Sequence, residues 1–206
     1  MVISNVLNPL ILPPILFAII LWEAGVSGPE IGVASALSLT LFTFAPLSYI
    51  LWLYRRGEVD SIEIRSRSRR FRPLAVSIFF YGVALITFAY WPLPGSTIVA
   101  WLCACFILNT AVVMGITAFW KISIHTMSIA GVCGVLLFLL VNGYAVRSAT
   151  WTWALLSGLA VPVMMWARVR LRAHTGAQVI GGALFGMILP YLELALLHRY
   201  GLLSML

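Results

Sequence analysis

Long apolar runs, each closed by a short polar or proline-containing break, set the pattern of this chain. They cover Leu7 to Ala24, Ile31 to Tyr54, Pro73 to Trp91, Thr97 to Trp120, a fifth run that begins at Lys121-Ile-Ser-Ile-His125 and reaches about Gly143, Trp151 to Trp166, and Thr175 to Leu197. A helix needs about 20 apolar residues to cross a bilayer, and most of these runs have that length. The pattern predicts an all-α, polytopic membrane bundle of six to seven transmembrane helices, folded as a single transmembrane domain over residues 1–206. Pro13-Pro14 kinks the first run or delays its helix, Pro46 lies inside the second, and Pro73 opens the third at a favoured helix-start position. Gly182-Ala-Leu-Phe-Gly186 gives the last run a small-residue face for close packing.

Composition agrees with a membrane chain. Apolar residues make up 62% of the sequence and charged ones 9%, far from the half and quarter of a soluble domain. The net charge of +7 does not point to nucleic acid, because the basic residues lie in short loops between apolar runs; anionic lipid headgroups are the fitting partner. Cys103, Cys105 and Cys133 all fall within apolar runs, so neither a disulfide framework nor a metal site is expected, and no cofactor is implied. The first run has no basic leader and exceeds the length of a signal core, so no cleavable signal is expected. Trp91, Trp120, Trp151, Trp153 and Trp166 stand near run ends, where an aromatic belt forms.

Three polar stretches interrupt this pattern. The first closes the loop from Arg55 to Arg72, which carries seven arginines against Glu58, Asp60 and Glu63. The second is Lys121 to His125, and the third is Arg168 to His174. Two crossings separate the first from the second and two more separate the second from the third, so all three share one face, the N-terminus with them.

In their order and internal spacing these stretches resemble the signature of the type 2 phosphatidic acid phosphatase superfamily, which includes membrane lipid phosphatases and vanadium haloperoxidases. The family pattern is Lys-x6-Arg-Pro, then Pro-Ser-Gly-His, then Ser-Arg-x5-His-x3-Asp. This chain has Arg65-x6-Arg72-Pro73, then Ile122-Ser-Ile-His125, then Ala167-Arg168-x5-His174-x3-Gln178. The resemblance spans about residues 65–190, with two extra N-terminal helices over 7–54. It implies His174 as nucleophile and His125 as general acid. Arg65, Arg72, Arg168 and Ser123 would hold the phosphoryl oxygens, with Lys121 as a further neighbour. These residue types suit such work: phosphohistidine chemistry needs an imidazole nucleophile, an acid titrating near neutrality and fixed cations for the phosphoryl charge. Helix starts, where both histidines stand, favour anions.

Gln178 is the main departure, standing where the family has an aspartate. One helical turn after His174, its amide oxygen can fix the ring's tautomer but brings no charge. By analogy with other orienting carboxylates, the loss costs a factor of roughly 10² to 10⁴ in the chemical step. Glu193 is no replacement: nineteen residues of helix place it about 28 Å beyond His174, near the opposite interface.

The resemblance implies a phosphatase acting on a lipid phosphomonoester or a polyprenyl pyrophosphate, without a metal or other cofactor and without nucleic acid. The altered motifs leave a second class open: a phosphatase-like protein with decayed chemistry that binds lipid or anion, as an accessory subunit of a larger membrane complex. Basic loops also serve topology and lipid contact, which is the plain reading of Arg55, Arg56, Arg67, Arg69, Arg70, Arg170 and Arg172. Ser123 has a plain reading too, as a helix N-cap.

Eleven of the thirteen basic residues fall on the motif face, leaving Arg147 and Arg199 opposite. The positive-inside rule then places that face in the cytoplasm of, we expect, a prokaryotic plasma membrane, with the C-terminus outside. Single cysteines in the 55–72 loop and near Leu203, in a background without native cysteines, test this on intact cells. An impermeant maleimide should label the second site and spare the first; the reverse pattern overturns the topology.

Overall fold

The structure is a computed structural model and describes residues 8–64, 66–144 and 148–203. Its helices are α1 (Leu12–Glu23), α2 (Gly28–Arg55), α3 (Phe71–Tyr90, entered through a 3-10 turn at Arg67–Arg70), α4 (Ser96–Phe119), α5 (Ile124–Val141), α6 (Ser148–Arg170) and α7 (Gly176–Arg199). No strand occurs among the described residues. Six of the helices, α2 to α7, are long and apolar enough to cross a membrane. The protein is an all-α, polytopic membrane bundle.

The first apolar run departs from expectation. Helix α1 has 12 residues, about 18 Å against a hydrocarbon core of about 30 Å. Its start is held at mid-depth: the Leu10 carbonyl accepts the Thr43 hydroxyl at 2.6 Å, and Thr43 stands in the middle of α2. Its end reaches the face opposite the motifs, where Glu23 accepts the hydroxyl of Thr150 in the first turn of α6. It is a half-spanning helix. Counting seven full crossings therefore fails at the N-terminal end, since Asn8 is placed at mid-depth and residues 1–7 lie outside those described.

A helix that starts inside a bilayer must dispose of its first N–H groups. Here Pro13 and Pro14 have none, and the Leu10 N–H is taken by the Asn8 side chain at 3.0 Å. Helix α2 adapts on its side. Pro46 would crowd the Phe42 carbonyl in a regular α-helix, and the turn just before it, Leu39–Phe44, widens to π geometry, with the Ala45 N–H bonding Thr40 five residues back. Thr43, which meets Leu10, lies in that widened turn.

An aromatic core joins α1 to α2, α3 and α4. Phe17, Phe42 and Phe88 are fully buried, Phe42 stacks on Tyr81 at 4.4 Å, and Phe17 meets Phe42 edge-on at 5.2 Å. On the other side of the bundle α5 and α7 approach backbone to backbone, as the Gly182–Gly186 spacing predicts. A Cβ at Gly182 would strike the Ser123 carbonyl, and one at Gly186 the Met127 carbonyl; Gly134 of α5 faces Met187 in the same way. Because the close approach involves main chain, no rotamer change relieves it. The site ends of the two helices are tied as well, by the Ser123 N–H donating to the Gln178 carbonyl at 3.3 Å.

Gly186→Ala should therefore lower the unfolding free energy by about 1–3 kcal/mol, as overpacking of a tight core does. Gly115→Ala, with nothing within 4 Å of the added carbon, should leave it unchanged or slightly raised. Thermal melts of both variants in one detergent decide this; equal midpoints would remove the packing constraint.

Candidate functional site

Helix α6 runs four residues beyond the Trp166 expected from the apolar pattern, so Arg168 and Arg170 lie in its last turn. It ends in a Schellman turn: Ala173 N–H bonds the Arg168 carbonyl at 3.1 Å and Arg172 N–H bonds the Val169 carbonyl at 2.9 Å. Arg172 takes the left-handed place at φ 51, where glycine is usual. The reversal brings the His174 N–H within 3.4 Å of the same Arg168 carbonyl. The five-residue gap between Arg168 and His174 is thus the length of one helix-ending turn, and both side chains line the same cavity, 3% and 7% exposed.

Thr175 caps α7 and forms a capping box with Gln178, whose Oε1 accepts the Thr175 N–H at 3.2 Å. That bond fixes which end of the amide is oxygen. The same Oε1 lies 3.0 Å from His174 Nδ1, so Nδ1 must carry the proton and donate. Nε2 then keeps its lone pair. Burial above all pulls the His174 pKa down from 6.5 to about 4; the Gln178 bond opposes this, while Lys121, Arg168 and Arg70 add to it. At neutral pH the ring is neutral, with its basic nitrogen available.

The second stretch is anchored to this turn. Lys121 Nζ donates to the Ala173 carbonyl at 3.0 Å. Ser123 is fully buried and N-caps α5, its hydroxyl paired with Thr126 at 2.9 Å and accepting the Thr126 N–H at 3.4 Å. It acts as a cap, and its hydroxyl is spent locally. His125, in the first turn of α5, lines the cavity together with His174.

The first stretch shows the largest difference from expectation. Arg72 points outward, 73% exposed, and pairs with Glu58 at 2.8 Å, so it does not join the histidines. Arg70 takes the inner place instead. It is 7% exposed, lines the cavity, and donates from Nε to the Ile64 carbonyl at 2.9 Å and from Nη1 to the Ile122 carbonyl at 3.5 Å. The 3-10 turn at Arg67–Arg70 sets this register, and the alternating Arg-Ser run gives no sign of it. Arg65 lies outside the described residues. Glu63, noted in the sequence only as a loop charge, reaches Arg168 with both carboxylate oxygens, Oε1 to Nη1 and Oε2 to Nη2 at 3.1 Å each.

Glu63, Arg70, His125, Arg168 and His174 line one cavity of about 350 Å³, at the small end of the ligand-pocket range. It extends along α5 from His125 to Val135, about 15 Å of helix, past Ser77, Tyr81, Phe106 and Asn109. Glu193, late in α7, accepts a hydrogen bond from Asn109 of α4 at 2.9 Å. Among the described residues no group of three or more His, Cys, Asp or Glu is placed to hold a metal ion. The arrangement offers a neutral imidazole nitrogen, a second imidazole, two buried guanidiniums and an apolar channel behind them.

No family model matches the chain, and neither the curated proteins nor the solved structures give a match.

Gln178→Glu keeps the length needed for the capping box and adds a charge beside Nδ1. It should raise the His174 pKa from about 4, since an adjacent anion favours imidazolium. Nitrogen-15 spectra of histidine-labelled protein across pH 3.5 to 8 report both the value and the tautomer. A wild-type ring that titrates near 6.5, or protonated at Nε2 when neutral, contradicts the geometry described above.

Proposed function

We propose that the protein is a membrane phosphatase that hydrolyses a lipid phosphomonoester or a lipid pyrophosphate through a phosphohistidine. The observation that carries this reading is His174, held by Gln178 as the Nδ1–H tautomer beside the buried Arg168. An imidazole in that state can attack phosphorus through Nε2 without first losing a proton. The family resemblance of the three polar stretches points the same way.

In the proposed reaction Nε2 bonds to phosphorus as the ester P–O bond breaks. His125 takes up a proton as the phosphoryl anion binds, an adjacent anion favouring imidazolium, and gives that proton to the departing lipid alkoxide. Water then attacks the phosphohistidine, His125 takes a proton from it, and the N–P bond breaks to release phosphate and restore both rings. Arg168 and Arg70 balance charge on the phosphoryl oxygens, where fixed donors in a dry site act most strongly. The lipid's apolar part extends into the cavity along α5. Gln178 orients His174 but adds no charge to the phosphorylated ring, so the reaction is slow for its type. The site opens to the cytoplasmic face, in keeping with the excess of basic residues there.

A non-catalytic, anion-binding role in a membrane complex is the second reading. The neutral amide of Gln178 on His174, where the family has a carboxylate, favours it, since it leaves the positive charge of a phosphorylated ring unbalanced.

Purified protein in detergent should release phosphate from at least one member of a panel of phosphatidate, phosphatidylglycerophosphate and polyprenyl pyrophosphate. His174→Ala should reduce release by about 10³-fold or more. Gln178→Asp should speed release or leave it unchanged. Release that survives His174→Ala overturns the mechanism, and no release from any lipid, with oxyanion binding retained, decides for the second reading.

A further inference from the structure

The contact between Glu63 and Arg168 has the shape of a ligand contact. Two carboxylate oxygens meet two guanidinium nitrogens at 3.1 Å, the forked pattern in which arginine also holds two oxygens of a phosphate. The two partners are unequally placed. Arg168 is 3% exposed and belongs to the last turn of a membrane helix, whereas the Glu63 side chain is 37% exposed and comes from the loop between α2 and α3. The cation belongs to the bundle and the anion to a loop at its surface.

The next residue reinforces this. Ile64 sits at φ 44, a left-handed conformation that a β-branched residue seldom adopts, and its carbonyl accepts from Arg70 Nε at 2.9 Å. Its side chain is buried in a small apolar cluster with Leu53 and Val59. Adjacent residues of one loop therefore place an acceptor on each of the two buried arginines that line the cavity, a carboxylate on one and a carbonyl on the other.

We propose that Glu63 is a tethered competitor for the phosphoryl seat, which a substrate's oxyanion must displace from Arg168 and which returns as phosphate leaves. This rests on the phosphoryl-site reading given above. Displacement moves the carboxylate into the water it already touches, so the loop loses an ion pair without burying a new charge. Between turnovers Glu63 keeps the guanidinium neutralised and the seat closed to ambient phosphate. It lowers the affinity for every oxyanion by the same factor, because the same contact must be broken whichever ligand enters.

Uniformity separates a competitor from a fixed neighbour. A carboxylate that stayed in place would repel a doubly charged ligand more than a singly charged one. The experiment is a titration of full-length protein in detergent at pH 8 with methyl phosphate, a dianion, and dimethyl phosphate, a monoanion. Wild type, Glu63→Gln, Glu63→Ala and Arg168→Ala are compared, with melting temperature as a second readout. The expected result is an affinity gain of about tenfold for both esters in Glu63→Gln, their ratio unchanged within about twofold, and an equal or larger gain in Glu63→Ala. A gain confined to methyl phosphate overturns the proposal by showing that Glu63 stays beside the bound ligand. Equal or weaker binding of both esters in the two Glu63 variants also overturns it, and shows that the carboxylate only holds Arg168 in place. Both results leave the phosphoryl site standing provided Arg168→Ala abolishes binding. If neither wild type nor either Glu63 variant binds either ester, the phosphoryl site itself falls, and the competitor with it.

Discussion

Close approach of main chain to main chain between α5 and α7 is the constraint on which the site depends. Gly182, Gly186 and Gly134 leave no side chain between the helices, and the Ser123 N–H bonds across to Gln178 where they begin. His125 stands two residues after Ser123 and His174 four before Gln178, so that one bond fixes the separation of the two rings more firmly than any side-chain contact. The other site groups are referred to the same junction. Lys121 bonds Ala173, and Arg70 bonds Ile122, both through backbone carbonyls. Main-chain acceptors cannot change rotamer, so cations held this way are positioned as rigidly as the helices themselves.

The cavity collects positive charge within a low-dielectric region, and its neutralisation is divided. Arg168 has a carboxylate, Arg70 and Lys121 have carbonyl dipoles, and His174 responds by remaining neutral. The pair of Arg168 with Glu63 is one whose partner reaches solvent.

Much of the fold is legible in the chain because bilayer thickness converts directly into run length. Six of seven apolar runs became full-length helices, and the Gly182–Gly186 spacing foretold the tight interface. The first run misled because its apolar residues are buried by protein at both ends of a short helix, a circumstance that hydropathy does not encode. At the candidate site, His125, His174 and Arg168 were singled out by the resemblance of their motifs, and the fold brings the three to one cavity. Arg72 was not: its register depends on a 3-10 turn in a stretch, 65–72, where five of eight residues are arginine. Two signals were present and missed. Thr175-x-x-Gln178 is a capping box, which accounts for the glutamine independently of catalysis. Glu63 is an acid in a loop otherwise dominated by arginine, and only the folded loop shows which of those arginines it meets.

Helix α1 has a consequence for how the chain is built. Its start is satisfied by Thr43 and its end by Thr150, the latter a partner 127 residues away. During synthesis Glu23 exists long before Thr150 has left the ribosome, and a 12-residue segment with an acid at one end is a poor candidate for early insertion. Its seat is completed only when α6 has entered the bilayer. A segment translated before α6 would then dock after it, and the orientation of the bundle would be decided by α2 and its trailing arginines.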